Sequence, residues 1–229
     1  EFCGVKRQIL SPAGGDRRGV SSIGTFYRKF TGEEGAPSNL LRWLSLPSHS
    51  LLAASSGKVF LDNYGKFSEI REIIKRGYPE DVKRKKLAAN LALMAQSGQY
   101  NYERCVRRGE TGAAQLAAYE FVRRAISAIY LVNDKYEPFY KWAFRGMRNL
   151  PSLSELEIPL ISLIETDNGK RRAEQKLEII EGINAEIVKT LKKKGLSIAS
   201  GEGLDAHAFS VTDGIKDATL RNLHLMEGI

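Results

Sequence analysis

The sequence has only two cysteines, Cys3 and Cys105, among its 229 residues. They lie far apart and form neither a disulfide framework nor a CxxC metal pair, so a reducing, cytoplasmic setting is expected. No apolar run is long enough to cross a bilayer, and no stretch reads as a signal peptide, so no membrane partner is expected. Internal repeats and low-complexity tracts are absent. His207 and His224 have no Cys or His at metal-ligand spacing, so no zinc site, and no other metal site in this chain, is expected.

What is present is an ordinary globular composition, 42% hydrophobic and 27% charged, on a chain long enough to bury a core. The formal net charge of +8 suits an anionic partner, nucleic acid or nucleotide. The basic residues are spread along the chain and no aromatic–basic recognition motif stands out, so ordinary surface charge is the first reading. Nucleic acid stays open as a partner.

The stretch from Pro79 to Met147 organises the chain. Pro79 sits where a first helical residue belongs, and Glu80 and Asp81 suit the positive end of a helix dipole. Val82, Ala89 and Leu93 form one apolar row, and Leu87, Leu91, Met94 and Ala95 another. The basic run Lys83–Lys86 reads as a solvated face. Gly98 interrupts the pattern and Gly109 ends it. A second helix, about Glu110 to Lys135, carries Ala114, Ala118, Phe121, Ala125, Ile129 and Val132 on one row and predicts a central position in a bundle. Pro138 opens a third helix, Phe139 to Arg148.

Upstream, Val5–Leu10 and Gly19–Ile23 read as short strands joined by the loop Ser11–Arg18, and Lys58–Asn63 as a further strand. Thr25 is expected to cap a short helix ended by Gly32, Ser38 the helix NLLRWLSL, and Pro47 to start another. Phe67, Ile70, Ile73 and Ile74 mark a helix ending at Gly77. Downstream, helices are expected over Glu155–Thr166, Lys170–Lys194 and Leu204–Met226. The fold class is therefore mainly α, a helical bundle over residues 66–229 behind a small α/β segment over residues 1–65.

The block GQYNYERCVRRGETGAAQLAAYEFVRRAISAIYLVNDKYEPFYKWAFRGMRNLP resembles the bacterial family called domain of unknown function 4037. RRGVSSIGTFYRKFTG, VFLDNYGKF, GLSIASGEGLDAHAF and LRNLHLMEG fit the same pattern. The resemblance implies a nucleotidyltransferase-like protein of two lobes. An N-terminal lobe would carry a Gly-Ser loop and paired carboxylates for Mg and a nucleoside triphosphate, with a helical lobe behind it. No Gly-Ser loop followed by Asp-x-Asp occurs in this sequence, and Asp62 alone cannot hold Mg against a triphosphate. Residues 1–65 would then be the exit from that lobe, the chain would be part of a longer protein, and the missing lobe would be its first partner. No cofactor is expected in this chain itself.

The same resemblance suggests a catalytic carboxylate on the helical lobe, with Glu110 and Glu120 as candidates for a general base. Arg104 and Arg108, four apart, could hold an anionic group of a nucleotide or small-molecule acceptor, or pair with Glu103, Glu110 or Glu120. Gln115 could orient a ligand or bridge helices. Tyr140, Lys141 and Arg145, with Tyr100, Asn101, Tyr102 and Trp142, could line a polar–aromatic cleft. The leading reading is the acceptor-binding half of a nucleotidyltransferase-like protein. The alternative is a non-catalytic helical module that binds nucleic acid or protein, or forms a homodimer. A helical RNase using Arg221 and His224 is a weaker third.

Overall fold

The computed structural model describes residues 20–229, and the expectations for Cys3, Val5–Leu10 and Ser11–Arg18 lie outside them. Twelve α-helices occur among the described residues, and no strand. Four short helices come first: α1 (Ile23–Thr31), α2 (Leu40–Ser45), α3 (Ser48–Ser55) and α4 (Lys66–Lys75). Then follow α5 (Glu80–Met94), a π-helical turn (Ala95–Tyr102), α6 (Glu103–Arg107) and the long α7 (Thr111–Val132). Beyond a 3-10 turn (Tyr140–Trp142) come α8 (Ala143–Met147), α9 (Glu157–Glu165), α10 (Lys170–Lys193), α11 (Leu204–Asp213) and α12 (Ala218–Asn222).

The expected strand over Lys58–Asn63 is irregular chain. The Asp62 carboxylate accepts from the Ser68 amide at 2.7 Å, so this segment caps the start of α4 rather than pairing with a neighbour. The half-buried Asp62 carboxyl is held below the ordinary range, chiefly by the Ser68 amide. The expected strand over Gly19–Ile23 likewise fails where it is described. Ser22 accepts from the Thr25 amide and caps α1, which starts at Ile23, so Thr25 is inside the helix. Asn39, not Ser38, caps α2, because Ser38 is bound to the Glu33 carboxylate.

The main core gathers around α7. Every residue of its predicted apolar row, Ala114 through Val132, is buried. Leu87, Leu91 and Met94 of α5 and Ile180, Ile183, Ile187 and Leu191 of α10 share this core, and Ala208 and Val211 of α11 extend it over α5. A second core lies under α1–α4: Tyr27, Trp43, Leu44, Leu51 and Ile74 meet Val82, Tyr136, Ile215 and Leu220. It draws side chains from both sides of position 65.

Gly98 sits within the π-helical turn, against Phe121 of α7. A Cβ there would lie 2.4 Å from the Phe121 ring and 3.0 Å from Ile180. The interruption expected at Gly98 is thus a widened helical turn that lets α5 and α7 approach. Pro79 is the residue before α5 rather than its first. The expected helix Phe139–Arg148 is a 3-10 turn followed by a short α8, and Leu204–Met226 is broken into α11 and α12, the second capped by Asp217.

The basic run on α5 is not a solvated face. Lys85 is fully buried and donates to the Leu223 carbonyl at 2.8 Å; Lys86 donates to the Gly228 carbonyl at 2.8 Å. One turn earlier, Asp81 accepts from the Lys216 and Asp217 amides. Lys83 pairs with Glu80 and Asp134, and Arg84 with Glu80. The C-terminal segment therefore folds over these residues. Burial pulls the Lys86 ammonium down to about 8, and lowers Lys85 as well.

Candidate functional site

Helix α7 starts after a sharp reversal. Gly109 has φ 74, a conformation that favours glycine, and it brings Glu110 to the N-cap position without a side-chain cap bond. Opposite lies the loop Thr166–Gly169, which joins α9 to α10. Between the two is an open cleft of about 470 Å³, lined by Thr111, Gln115, Tyr119, Ile164, Thr166 and Asn168.

A buried polar network sets the floor of this cleft. Lys176, on the inward face of α10, is fully buried. Its ammonium donates to Gln115 Oε1 at 2.8 Å, to the Thr166 carbonyl at 2.9 Å and to Asn168 Oδ1 at 3.0 Å. Gln115 Nε2 donates to the Ile164 carbonyl at 3.1 Å. Asn168 Nδ2 donates to Gln115 Oε1 and to the Thr111 carbonyl. The Tyr102 hydroxyl donates to Asn168 Oδ1 at 2.8 Å, and its ring lies 5.6 Å from the ammonium.

All three donors of Lys176 are thus satisfied by neutral oxygens, with no carboxylate in direct contact. Burial lowers the ammonium to about 8, against the attraction of Asp167, and raises the Tyr102 phenol to about 12. Asp167 stands at the surface. Its carboxyl is held below the ordinary range first by the Gly169 amide, with Arg172 adding to it. The network fixes a loop, two helices and a π turn around one cleft.

The expected site residues divide into separate places. Gln115 is a bridge, with its oxygen accepting twice and its amide donating to Ile164. Glu110 is exposed beside Thr111 at the cleft's edge and makes no ion pair among the described residues. Glu120 is bound to Arg124 at 2.6 Å, one turn along α7. Arg104 stacks on Tyr100 with its guanidinium 4.6 Å from the ring centroid, and Arg107 pairs with Glu103. Arg108 terminates α6 and is exposed.

Tyr140, Lys141 and Arg145 are elsewhere. They lie on the segment held against Tyr130, whose hydroxyl donates to the Ala143 carbonyl at 2.7 Å. Gln115 and Tyr130 are fifteen positions apart on one helix, roughly 22 Å at 1.5 Å per residue. The expected polar–aromatic cleft therefore does not form: Tyr102 belongs to the buried network and Tyr140, Lys141 and Arg145 to an outer face.

Lys176 and Asn168 were missed by sequence reasoning. Lys176 falls at an inward position between Ala173 and Ile180, as Lys85 falls between Val82 and Ala89. A lysine on an apolar row was the available signal. His207 is buried between Ser197 Oγ at 2.7 Å and the Gly201 carbonyl at 3.0 Å. Among the described residues no three His, Cys, Asp or Glu side chains come together in a way that could hold a metal. Among the described residues no helix is long and apolar enough to cross a membrane.

Residues 43–143 match the model of a family described as a domain of unknown function, DUF4037. The match runs from α2 to the start of α8 and takes in α7 with Glu110, Gln115 and Glu120. Asn168 and Lys176 lie outside it. No curated protein and no solved structure matches the chain.

Proposed function

We propose that this chain is the helical, acceptor-binding half of a nucleotidyltransferase-like protein, with the acceptor held in the cleft at the head of α7. The observation that carries this reading is the buried Lys176 network, which holds Gln115, Asn168 and Thr166 in fixed positions around an open cleft of about 470 Å³. A side-chain set locked in this way positions a bound molecule at little further entropic cost.

Of the two candidate carboxylates, Glu110 is the one at the cleft's edge without an ion-pair partner among the described residues, and so the one able to take a proton from an acceptor hydroxyl. Arg108, exposed two residues earlier, supplies a positive charge for an anionic group. The described residues do not fit a Mg site, and Asp62 is engaged in capping α4. Mg and the nucleoside triphosphate would belong to a separate nucleotidyltransferase-like lobe, in a bacterial cytoplasmic protein.

The test is nucleotide transfer by the gene's full-length product, with Mg, each nucleoside triphosphate and a panel of hydroxyl- and amine-bearing acceptors. Transfer is expected, with Glu110→Gln lowering kcat by about a hundredfold or more and Glu120→Gln leaving it within a few-fold. Absence of transfer to any acceptor, or equal loss in both variants, would contradict the reading.

A second reading, a non-catalytic binding or dimerisation module, draws on the segment before α4. Phe60, Leu61 and Tyr64 are almost wholly exposed there. A doubled mass in light scattering, returned to the monomer by Phe60→Ser with Leu61→Ser, would favour that reading.

A further inference from the structure

We infer that the outer face formed by Phe139–Arg145 and the adjoining side of α7 binds single-stranded nucleic acid. The inference is independent of the cleft reading, since this face lies at the other end of α7.

The face is fixed from behind. Tyr130 holds the Ala143 carbonyl, and Gly146 packs so close that a Cβ there would lie 2.3 Å from the Tyr130 hydroxyl. The Glu137 amide donates to Ser48 Oγ at 2.6 Å, and the His49 ring meets the Phe139 ring at 5.5 Å between centroids. On this support the aromatics point outward: Phe139 is 45% exposed, Tyr140 76% and Trp142 47%. Phe139 and Tyr140 lie 4.5 Å apart, and Lys141 and Arg145 lie 5.5 and 5.6 Å from the Trp142 centroid.

Charge is left over here. Lys141 and Arg145 make no ion pair among the described residues, and Arg123, though near the Glu137 carboxylate, is not in contact with it. Arg123 is one turn from Ser127, whose hydroxyl donates to Glu137, so it stands on the same side of α7. Two nearby acids are already paired, Asp134 with Lys83 and Glu157 with Arg148; the third, Glu137, is bonded to Ser127, has its acidity weakened by burial, and offsets Arg123 in part.

Aromatic faces interleaved with unneutralised cations match what a single strand offers, namely stackable bases and a phosphate at each step. A duplex hides its base faces, and no helix projects from this surface to enter a groove, α8 being five residues long and packed on α7. Aromatics and arginine also suit a protein contact, but the unpaired Lys141 beside Trp142 is of a type that such contact centres are depleted of.

Fluorescence anisotropy with labelled oligo(dT) and oligo(U) of about 12 nucleotides, and with a hairpin duplex, tests the inference at about 50 and 200 mM salt. Both single strands should bind more tightly than the duplex. Tyr140→Ala with Trp142→Ala should weaken binding by about tenfold or more at unchanged Tm. Lys141→Glu with Arg145→Glu should weaken it and flatten the salt slope by about one to two. Equal binding of the duplex, wild-type affinity in either double variant, or no saturable binding at the lower salt would overturn it. So would a dimer in light scattering that Tyr140→Ala with Trp142→Ala dissolves, which would give the face to a second copy.

Discussion

The two ends of α7 use similar side chains to opposite ends. At its head, a lysine, a glutamine, an asparagine and a tyrosine bond one another inside the protein, and the cleft beside them is shaped by groups already satisfied. At its tail, a lysine, an arginine and three aromatics are held from behind and left open in front. Polar groups buried together fix geometry; polar groups left in solvent on a rigid support remain available to a partner. The difference comes from what lies over each end. The α9–α10 loop and α10 cover the head, whereas on one side of the tail the covering segment is the one that carries the exposed residues.

The sharpest way to break this contrast is at Lys176. Lys176→Ala removes a donor shared by three oxygens and leaves a cavity, and should cost about 3 kcal/mol in urea unfolding; Lys176→Met should recover the packing part. At the tail, Lys141→Ala should change stability by less than about 0.5 kcal/mol. Equal costs at the two positions would erase the distinction.

Next in size is Gly98→Ala. The added methyl meets the Phe121 ring and should cost about 2 kcal/mol, of which better helix propensity returns at most about 1. A stabilised variant would mean that the π turn and α7 are not closely packed.

The buried lysines also give stability a direction with pH. Lys86 and Lys176 lose protons at about 8 in the folded chain, while the unfolded chain keeps them up to the ordinary 10.5, so unfolding takes up protons between those values. Stability should therefore rise from pH 8 toward 10. Above about 10 the sign reverses. The unfolded tyrosines ionise while folded Tyr78, Tyr102 and Tyr130, pushed up to about 12 by burial, do not. Lys86→Met with Lys176→Met should flatten the rising limb in thermal melts, and an unchanged limb would refute its assignment to these two groups.

A small effect is expected at the Glu120–Arg124 pair. Glu120→Gln should shift stability by about 1 kcal/mol or less, since Glu120 stays partly open to water although its i,i+4 partner Arg124 is largely buried.

Much of the helical framework was legible in the residues. The apolar row of α7, the stop at Gly109 and the stripe on α10 follow from spacing and glycine position alone. Lys58–Asn63 alternated like a strand, yet alternation cannot say whether an edge is available to pair with, and Asp62 turned out to cap α4. The basic run on α5 looked solvated because its covering segment is more than a hundred residues away in sequence. Gln115 was visible as a bridge or ligand contact. Its partners Asn168 and Lys176 were not, because polar networks are assembled from elements whose approach periodicity does not encode.

The contrast is tested most directly by following backbone amide shifts of the chain as a single-stranded oligonucleotide is added. Shifts confined to Phe139–Arg145 and the Arg123 turn, with Thr111–Tyr119 and Thr166–Gly169 unmoved, are the predicted result. Shifts centred on Gln115 and Asn168, with the tail silent, would contradict it.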